Sequence, residues 1–461
     1  MVENTTVDDP FTGDVACTVE HADQKKIDRI LDDAKKASRD LAKLSIDERT
    51  ALCDRALAKF EVRADEIARD ITRMMGKPLG QASGEMKGIA GRWRHMQEIA
   101  KASLADIVLP AKDGFERRIA KAPLGVVLDL PAWNYPLLTA VNAVVPAVLA
   151  GNAVVLKHSP RTPLCGDHFA RAFAEAGAPH AVQSLFVDYA TTERMVGDPR
   201  IDAVLFTGSV HGGHRIQSAA KDRFIPVGLE LGGNDPAYAA ADCDLDKTVE
   251  NVVDGAIYNA GQSCCAVERV YVHKSICEKF VAACEPLVRA YVLGDPNDDK
   301  TNLGPIAQPW HPKELDAFMA DATGKGAKVV YGGKATGASG KGRFFEATLV
   351  RDVPQTADLM KKESFGPILA ISAVDSDEDA LARMNDSRLG LTASVWTSDR
   401  ERADRLARAL EYGTVYMNRC DALDPALPWT GWKDSGRGVT LSALGFDALT
   451  RPKSIHFRLR F

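Results

Sequence analysis

Hydrophobic and polar positions divide the chain into three kinds of stretch. Over roughly the first hundred residues apolar side chains recur at three- and four-residue spacings, as in Ile27, Ile30, Leu31, Ala34 and Leu41, the period of helices with one apolar face. Ser45 and Glu48 form a capping-box pattern ahead of the next helical stretch, Arg49 to Phe60, and these helices are expected on the surface of a larger core. From Leu124 short apolar runs alternate with helical segments: Leu124–Leu130, a helix to Gly151, Ala153–Leu156, a helix from Pro163 to Gly177, then Ser184–Val187, Ala203–Phe206 and Ile225–Leu229. That repetition predicts a parallel sheet with helices on both faces. A second series, with a helix from Asp246 to Asn259, a strand Arg269–Val272 and a helix Ser275–Val292, predicts a second α/β domain. The tail changes period again. Ile455, Phe457, Leu459 and Phe461 alternate with His456, Arg458 and Arg460, which predicts a strand with one apolar face. Glu116–Ala120 is its candidate partner, and the pair reads either as an oligomerisation flap or as a strand packed within its own subunit. Thr323–Gly342 is Gly-rich and reads as surface turns around a short strand.

Length and composition narrow the class. With 461 residues, 45% apolar and 26% charged, the chain has room for two or three cored domains and excludes fibrous or largely disordered states. Lys and Arg total 58 against 63 Asp and Glu, a net charge of −5, so no overall positive field draws it to nucleic acid or anionic membrane, and a small ligand is expected. The longest apolar run, Leu137–Ala150, is broken by Asn142 and Pro146 and falls short of the roughly 20 residues a membrane span needs; it reads as a buried helix. Met1–Pro10 is polar and acidic, without a targeting signal. The nine cysteines are scattered, without metal-ligand spacing, which points to a reducing, cytoplasmic setting and to no metal.

Three segments carry candidate chemistry. In Tyr258–Arg269 a Gly-Gln-Ser turn precedes Cys264 and Cys265; such a turn holds a thiol at the mouth of a site, or buries it as a small hydrophobe. Gly228–Gly233 closes a buried strand with Glu230 before two glycines, a carboxylate that is either functional or ion-paired. Pro131–Pro136 bends the chain at two prolines and places Asn134 at a strand's carboxyl end, where ligands of open α/β sheets bind, or in an Asx-turn.

These residues resemble the NAD(P)-dependent aldehyde dehydrogenase superfamily. The likeness runs in family order through Pro-Ala-Trp-Asn-Tyr-Pro (131–136), Phe-Thr-Gly-Ser (206–209), Leu-Glu-Leu-Gly-Gly (229–233), Gly-Gln-Ser-Cys (261–264), Glu-Ser-Phe-Gly-Pro (363–367) and Pro-Trp-Thr-Gly-Trp-Lys-Asp-Ser-Gly-Arg-Gly (428–438), with Met75-Gly-Lys-Pro78 upstream. It implies a Rossmann-like coenzyme domain (1–100 and 124–231), an α/β catalytic domain (232–430) and a small β oligomerisation flap (101–123 and 445–461) in a homodimer or homotetramer. It also implies an activity, oxidation of an aldehyde to a carboxylic acid. Cys264 would attack the aldehyde, the Asn134 amide and the Cys264 backbone N–H would hold the oxyanion, and Glu230 would activate the water that hydrolyses the thioester. The cofactor, NAD or NADP, would be held by Trp133, Lys157, Ser159, Gly208, Ser209, Gly213, Glu363 and Phe365. Gly208 and Ser209 would open a helix toward the pyrophosphate. Their spacing to Gly213 departs from the Gly-x-Gly-x-x-Gly fingerprint, so that assignment rests on the resemblance alone.

The chain departs from the family where many members carry Lys-Pro-Ser-Glu and this one has Lys157-His-Ser-Pro160. Without that Glu a 2′-phosphate is not repelled, and NADP becomes admissible. The nearest likeness is to short bacterial succinate-semialdehyde dehydrogenase-like members. Yet the two positions where such enzymes often place an Arg hold Asn142 and Tyr258, while Leu137, Leu138, Val141, Trp429 and Trp432 offer an apolar or aromatic tunnel instead. The aldehyde's tail therefore stays open. Two competing functions are a CoA-acylating dehydrogenase, which usually lacks the carboxylate at 230, and a non-catalytic binding protein, which should have lost a catalytic side chain.

Overall fold

The computed structural model describes residues 3–338 and 340–460; Met1 and Val2 at the head of the polar N-terminus, Ser339 in the Gly-rich stretch and Phe461 at the end of the alternating tail lie outside them. Two hydrophobic cores organise the chain, each around one sheet. The first sheet has six strands in the order Gly436–Arg437, Val227–Glu230, Ala203–Thr207, Val126–Leu130, Ala153–Leu156 and Val182–Ser184. All neighbours pair in parallel except Gly436–Arg437. Val126–Leu130 is buried at every position, as a central parallel strand covered on both faces should be. The apolar run at 137–150 forms the helix Pro136–Leu149, with Pro136 at its first turn where a missing N–H costs nothing.

The second sheet has seven strands, Lys328–Tyr331, Thr348–Arg351, Ile368–Val374, Val267–His273, Asp235–Ala239, Thr392–Trp396 and Thr414–Met417. A third, three-stranded sheet pairs Thr450–Arg458 with Phe115–Pro123, and that strand with Ile107–Val108. Its register sets Phe457 against Glu116 and Lys453 against Ala120. The capping box at the helix Ile46–Glu61 is formed, Ser45 and Glu48 each satisfying the other's backbone N–H. Among the described residues, no helix is long and apolar enough to cross a membrane.

The structure departs from the sequence pattern in three places. The polar N-terminus is not simply a lead-in to helices: Asn4–Asp8 and Val15–Glu20 form an antiparallel hairpin. Asp9 accepts from the Phe11 and Thr12 N–H groups to close its turn, and Asp8 ties the hairpin to Arg161 and Arg343. With mostly half-exposed residues the hairpin carries little apolar alternation to betray it. The strand expected at Ser184–Val187 lies at Val182–Ser184. Gly436–Arg437, beyond the expected catalytic domain, returns to the first sheet beside Val227–Glu230, so the chain's last third also shapes the cleft.

Candidate active site

Leu130, Leu156, Thr207 and Glu230 all stand at the carboxyl ends of parallel strands of the first sheet, the side on which open α/β sheets bind ligands. The loop carrying Cys264 reaches this edge through an unusual backbone. Asn259, Ala260 and Gly261 have φ of 56, 55 and 66°, a left-handed run costly for the two non-glycine residues. At Gly261 a Cβ would lie 2.1 Å from the Gly366 carbonyl oxygen, so only glycine fits. Hydrogen bonds hold the turn. The Gln262 amide donates to the Asn259 carbonyl (3.1 Å) and accepts from the Ala307 N–H (2.9 Å), while Asn259 Nδ2 donates to the carbonyls of Asn134 (3.2 Å) and Gln262 (3.0 Å). Asn134 Nδ2 donates to the same Gln262 carbonyl at 3.1 Å. That bond draws the Asn134 amide to within two residues of Cys264, leaving its second N–H available. Among the described residues the Cys264 backbone N–H makes no hydrogen bond. An amide with one N–H to spare and a backbone N–H on the wall of one cavity are the kinds of donor a developing oxyanion requires.

Glu230 ends its strand with a carboxyl that accepts from the Thr440 hydroxyl at 3.3 Å, while its other oxygen is buried without a partner. Burial drives its pKa well above the ordinary carboxylate range, with the Thr440 bond pulling weakly the other way. Together Cys264 and Glu230 line two adjoining cavities.

The larger cavity, about 920 Å³, takes in seven of the eight expected cofactor residues, Trp133, Lys157, Ser159, Gly208, Ser209, Glu363 and Phe365. Gly213 is the exception: it is buried, and a Cβ there would lie 2.8 Å from Leu231, so it serves the approach of helix to strand. Ser209 caps the helix Val210–Ala219, accepting from the Gly212 N–H. Cβ atoms at Gly208 or Gly212 would each meet the Phe206 ring at 2.6 Å, so this helix start stays close to the sheet, its N–H groups available to an anion. Lys157 is 5% exposed and, among the described residues, has no carboxylate in contact; its ammonium sits over the Phe186 and Tyr189 rings at 5.5 and 5.3 Å. Burial pushes its pKa down to about 8. On the far wall Glu363 accepts from the Gly233 N–H (3.1 Å) and packs where a Gly232 side chain would stand. Its loop is fixed by Glu268, which accepts from the Ser364 and Phe365 N–H groups. Trp133 meets Phe365 edge to face at 5.6 Å. An unpaired buried ammonium, an open helix start and a cleft flanked by aromatic rings fit a dinucleotide.

The smaller cavity, about 520 Å³, shares Cys264 and Glu230 with the larger one. Leu138 and Trp429 line it. Of the other expected tunnel residues, Leu137 and Val141 are core, and Trp432 is 50% exposed on a surface strand. A residue outside the sequence reading enters instead. Arg92, from the helix Leu79–Ser103, lines the cavity with its Nη1 donating to the Leu138 carbonyl and the Asn142 Oδ1, both at 3.0 Å. Both partners are neutral, and no carboxylate lies within ion-pair range among the described residues. Burial lowers its pKa. Its only signal in the sequence is an Arg within a long amphipathic helix, which ordinarily reads as a solvated face.

The family model described as the Aldehyde dehydrogenase family matches residues 2–455. An aldehyde dehydrogenase of Paenarthrobacter nicotinovorans is 36% identical over 451 residues, covering 97% of this chain and 98% of its own. The protein of Deinococcus radiodurans named succinate-semialdehyde dehydrogenase, NADP(+), is 34% identical over 447 residues, 97% of this chain and 93% of its own. Among solved structures, an NADP-dependent enzyme from E. coli superposes with a TM-score of 0.95 at 30% identity, covering 99% of this chain and 95% of its own. The NAD-dependent aldehyde dehydrogenase from Sinorhizobium meliloti gives 0.95 at 29%, covering 99% and 92%.

Proposed function

The chain belongs to the aldehyde dehydrogenase family, and from that premise we propose that it oxidises an aldehyde with an anionic tail to the carboxylic acid, with Cys264 as nucleophile and NAD or NADP as acceptor. One observation carries the reading: Cys264 and Glu230 sit at the junction of the two cavities, where a carbonyl entering from one side meets a cofactor held on the other. The Cys264 sulfur adds to the aldehyde carbon, and the oxyanion is received by the Asn134 amide and the Cys264 backbone N–H. The bound dinucleotide supplies a hydride acceptor. Lys157 and Ser159 hold its adenosine end, Gly208 and Ser209 present the helix start to the pyrophosphate, and Trp133, Glu363 and Phe365 frame the nicotinamide end. Glu230 then takes a proton from the water that resolves the Cys264 thioester, its raised pKa making it the stronger base. A carboxyl at this position favours hydrolysis over transfer to CoA.

Arg92 carries the choice of substrate tail. A guanidinium facing a cavity with only neutral hydrogen-bond partners, the Glu85 charge acting on it from beyond contact, is offered paired, charge-assisted hydrogen bonds by a substrate carboxylate. Succinate semialdehyde, named for the Deinococcus relative, has that tail. For the cofactor, Pro160 and the unpaired Lys157 favour acceptance of NADP. The nine free cysteines support a reducing, cytoplasmic setting. Ile107, Val108 and Phe457, 50%, 78% and 51% exposed on the three-stranded sheet, support assembly as a homodimer or homotetramer through that sheet.

The experiment is a panel of carboxylate-tailed, neutral aliphatic and aromatic aldehydes, each with NAD and with NADP, followed by absorbance of the reduced cofactor. Turnover preferring the carboxylate-tailed aldehydes is expected; no reduction with any aldehyde would leave a binding protein on the same fold.

A further inference from the structure

The two adjacent sulfurs differ in what surrounds them. Cys264 faces the junction of the cavities, whereas Cys265, 4% exposed, turns toward a carboxyl from a distant segment. Its Sγ donates to Asp421 Oδ1 at 3.0 Å, and the Ser263 hydroxyl donates to the same oxygen at 3.3 Å. Ser263 Oγ and Cys265 Sγ are themselves 3.5 Å apart, closing a triangle on the wall of the smaller cavity. Asp421 reaches this place through a left-handed backbone, φ 43°, a conformation that Asp tolerates better than most residues. The Tyr416 hydroxyl fixes the turn by donating to the next carbonyl, that of Ala422.

We propose that Asp421 is a positioning residue that keeps Cys265 as a thiol hydrogen-bonded away from the substrate, so that Cys264 alone attacks. This rests on Cys264 being the nucleophile. The physical reason is local. Removing the Cys265 proton would leave a thiolate 3.0 Å from a carboxylate oxygen, in surroundings too poor in water to screen the repulsion. Two cations act on this region, Arg92, which feels the Cys265 charge across the same cavity but donates to the Leu138 carbonyl and Asn142 Oδ1, and Lys77; among the described residues neither bonds to Cys265 as Asp421 does. The groups facing Asp421 are Cys265 and Ser263 from its partner loop, Tyr258 beside them, Asp254 from the helix Leu245–Ile257, Tyr135, Tyr416, the adjacent Cys420, and Lys77. Lys77 is already bound to Glu85 at 2.7 Å. In agreement, hydrogen bonding with Cys264, burial and the Asp421 charge drive the Cys265 thiol well above its ordinary range. Burial raises Asp421 itself to about 7, against the pull of its Cys265 and Ser263 hydrogen bonds. The arrangement stops Cys265 from capturing aldehyde as an unproductive adduct.

The test reads Cys265 directly, in full-length protein carrying Cys264→Ser. Alkylation of Cys265 by limiting iodoacetamide is followed by mass spectrometry of its peptide between pH 6 and 10. Slow alkylation is expected, accelerated about tenfold at neutral pH by adding Asp421→Asn, with the midpoint of the pH profile moved down. Asp421→Ala should accelerate it further; should that variant fold poorly, Asp421→Asn alone carries the comparison, with thermal unfolding as the control. An unchanged rate and midpoint in the Asn variant, or fast alkylation with Asp421 intact, overturns the proposal. Undiminished turnover by Cys264→Ser would instead remove the nucleophile assignment, while the alkylation rates still report whether Asp421 holds Cys265.

Discussion

The two cavities that meet at Cys264 are built on different plans. The cofactor side is assembled mostly from consecutive strand ends of one sheet: Trp133 and Asn134 after the first, Lys157 after the next, Gly208 after another. Such ends are brought together by the sheet itself, and each announces itself locally through a glycine, a proline pair or a terminal lysine. The substrate side gathers Arg92 from a helix far upstream, Tyr258 and Ser263 from the nucleophile loop, and Asp421, Leu423 and Trp429 from the chain's last tenth. No repeating pattern joins these positions. On the proposed function, the sheet edge thus supplies the cofactor side, whereas choice of substrate falls to side chains that neighbouring elements contribute.

Variants can break that division, beginning at the junction. Cys264→Ala should abolish turnover, a loss above about 1,000-fold, while the cofactor still binds, as measured by fluorescence titration; residual turnover within tenfold of the parent would place the nucleophile elsewhere. Asn134→Ala removes one oxyanion donor and should lower kcat about 100–1,000-fold with little change in the KM of either ligand, which steady-state kinetics reads. Arg92→Ala should raise KM for carboxylate-tailed aldehydes about 10–100-fold, the worth of a charge-assisted hydrogen bond, and leave neutral aldehydes and the cofactor KM nearly untouched. An equal loss for both aldehyde classes would merge the two cavities into one functional unit.

The smallest expected effect is on the cofactor side and depends on pH. Lys157 has its pKa pushed down to about 8, so its positive charge is present below that pH and is lost as pH rises through it. The KM for NADP should therefore climb severalfold between pH 7 and 9 while the aldehyde KM stays level. Lys157→Met should raise the starting value and flatten the slope. A slope that survives the substitution would assign the titration to another group.

Particular residues show what local pattern conveys. The buried strands and their helices were readable because a covered parallel strand must be apolar throughout, and the tail strand because its period is two. The hairpin Asn4–Asp8 with Val15–Glu20 has no such trace: its residues are nearly all half-exposed or exposed, and Asp8 ties it to Arg161 and Arg343, partners far away in sequence. At Gly213 the contact a side chain would make with Leu231 is one that no spacing in the sequence conveys. At Asn142 the absence of an Arg suggested a pocket without a cation, yet that same amide oxygen receives Arg92.

By itself the amino-acid sequence determined the two α/β layers and the terminal strand, because periodicity and turn residues act over a few positions and so leave a local trace; the sulfur, amide and carboxyl of the proposed site were named through the family resemblance. Only the tertiary structure decided which cation lines the smaller cavity, which glycines line the larger one, and that Asp421 takes hold of one of two neighbouring thiols. Those outcomes depend on where a side chain's far end arrives after distant segments have packed, and the free energy of such contacts is written in distances that no linear spacing contains.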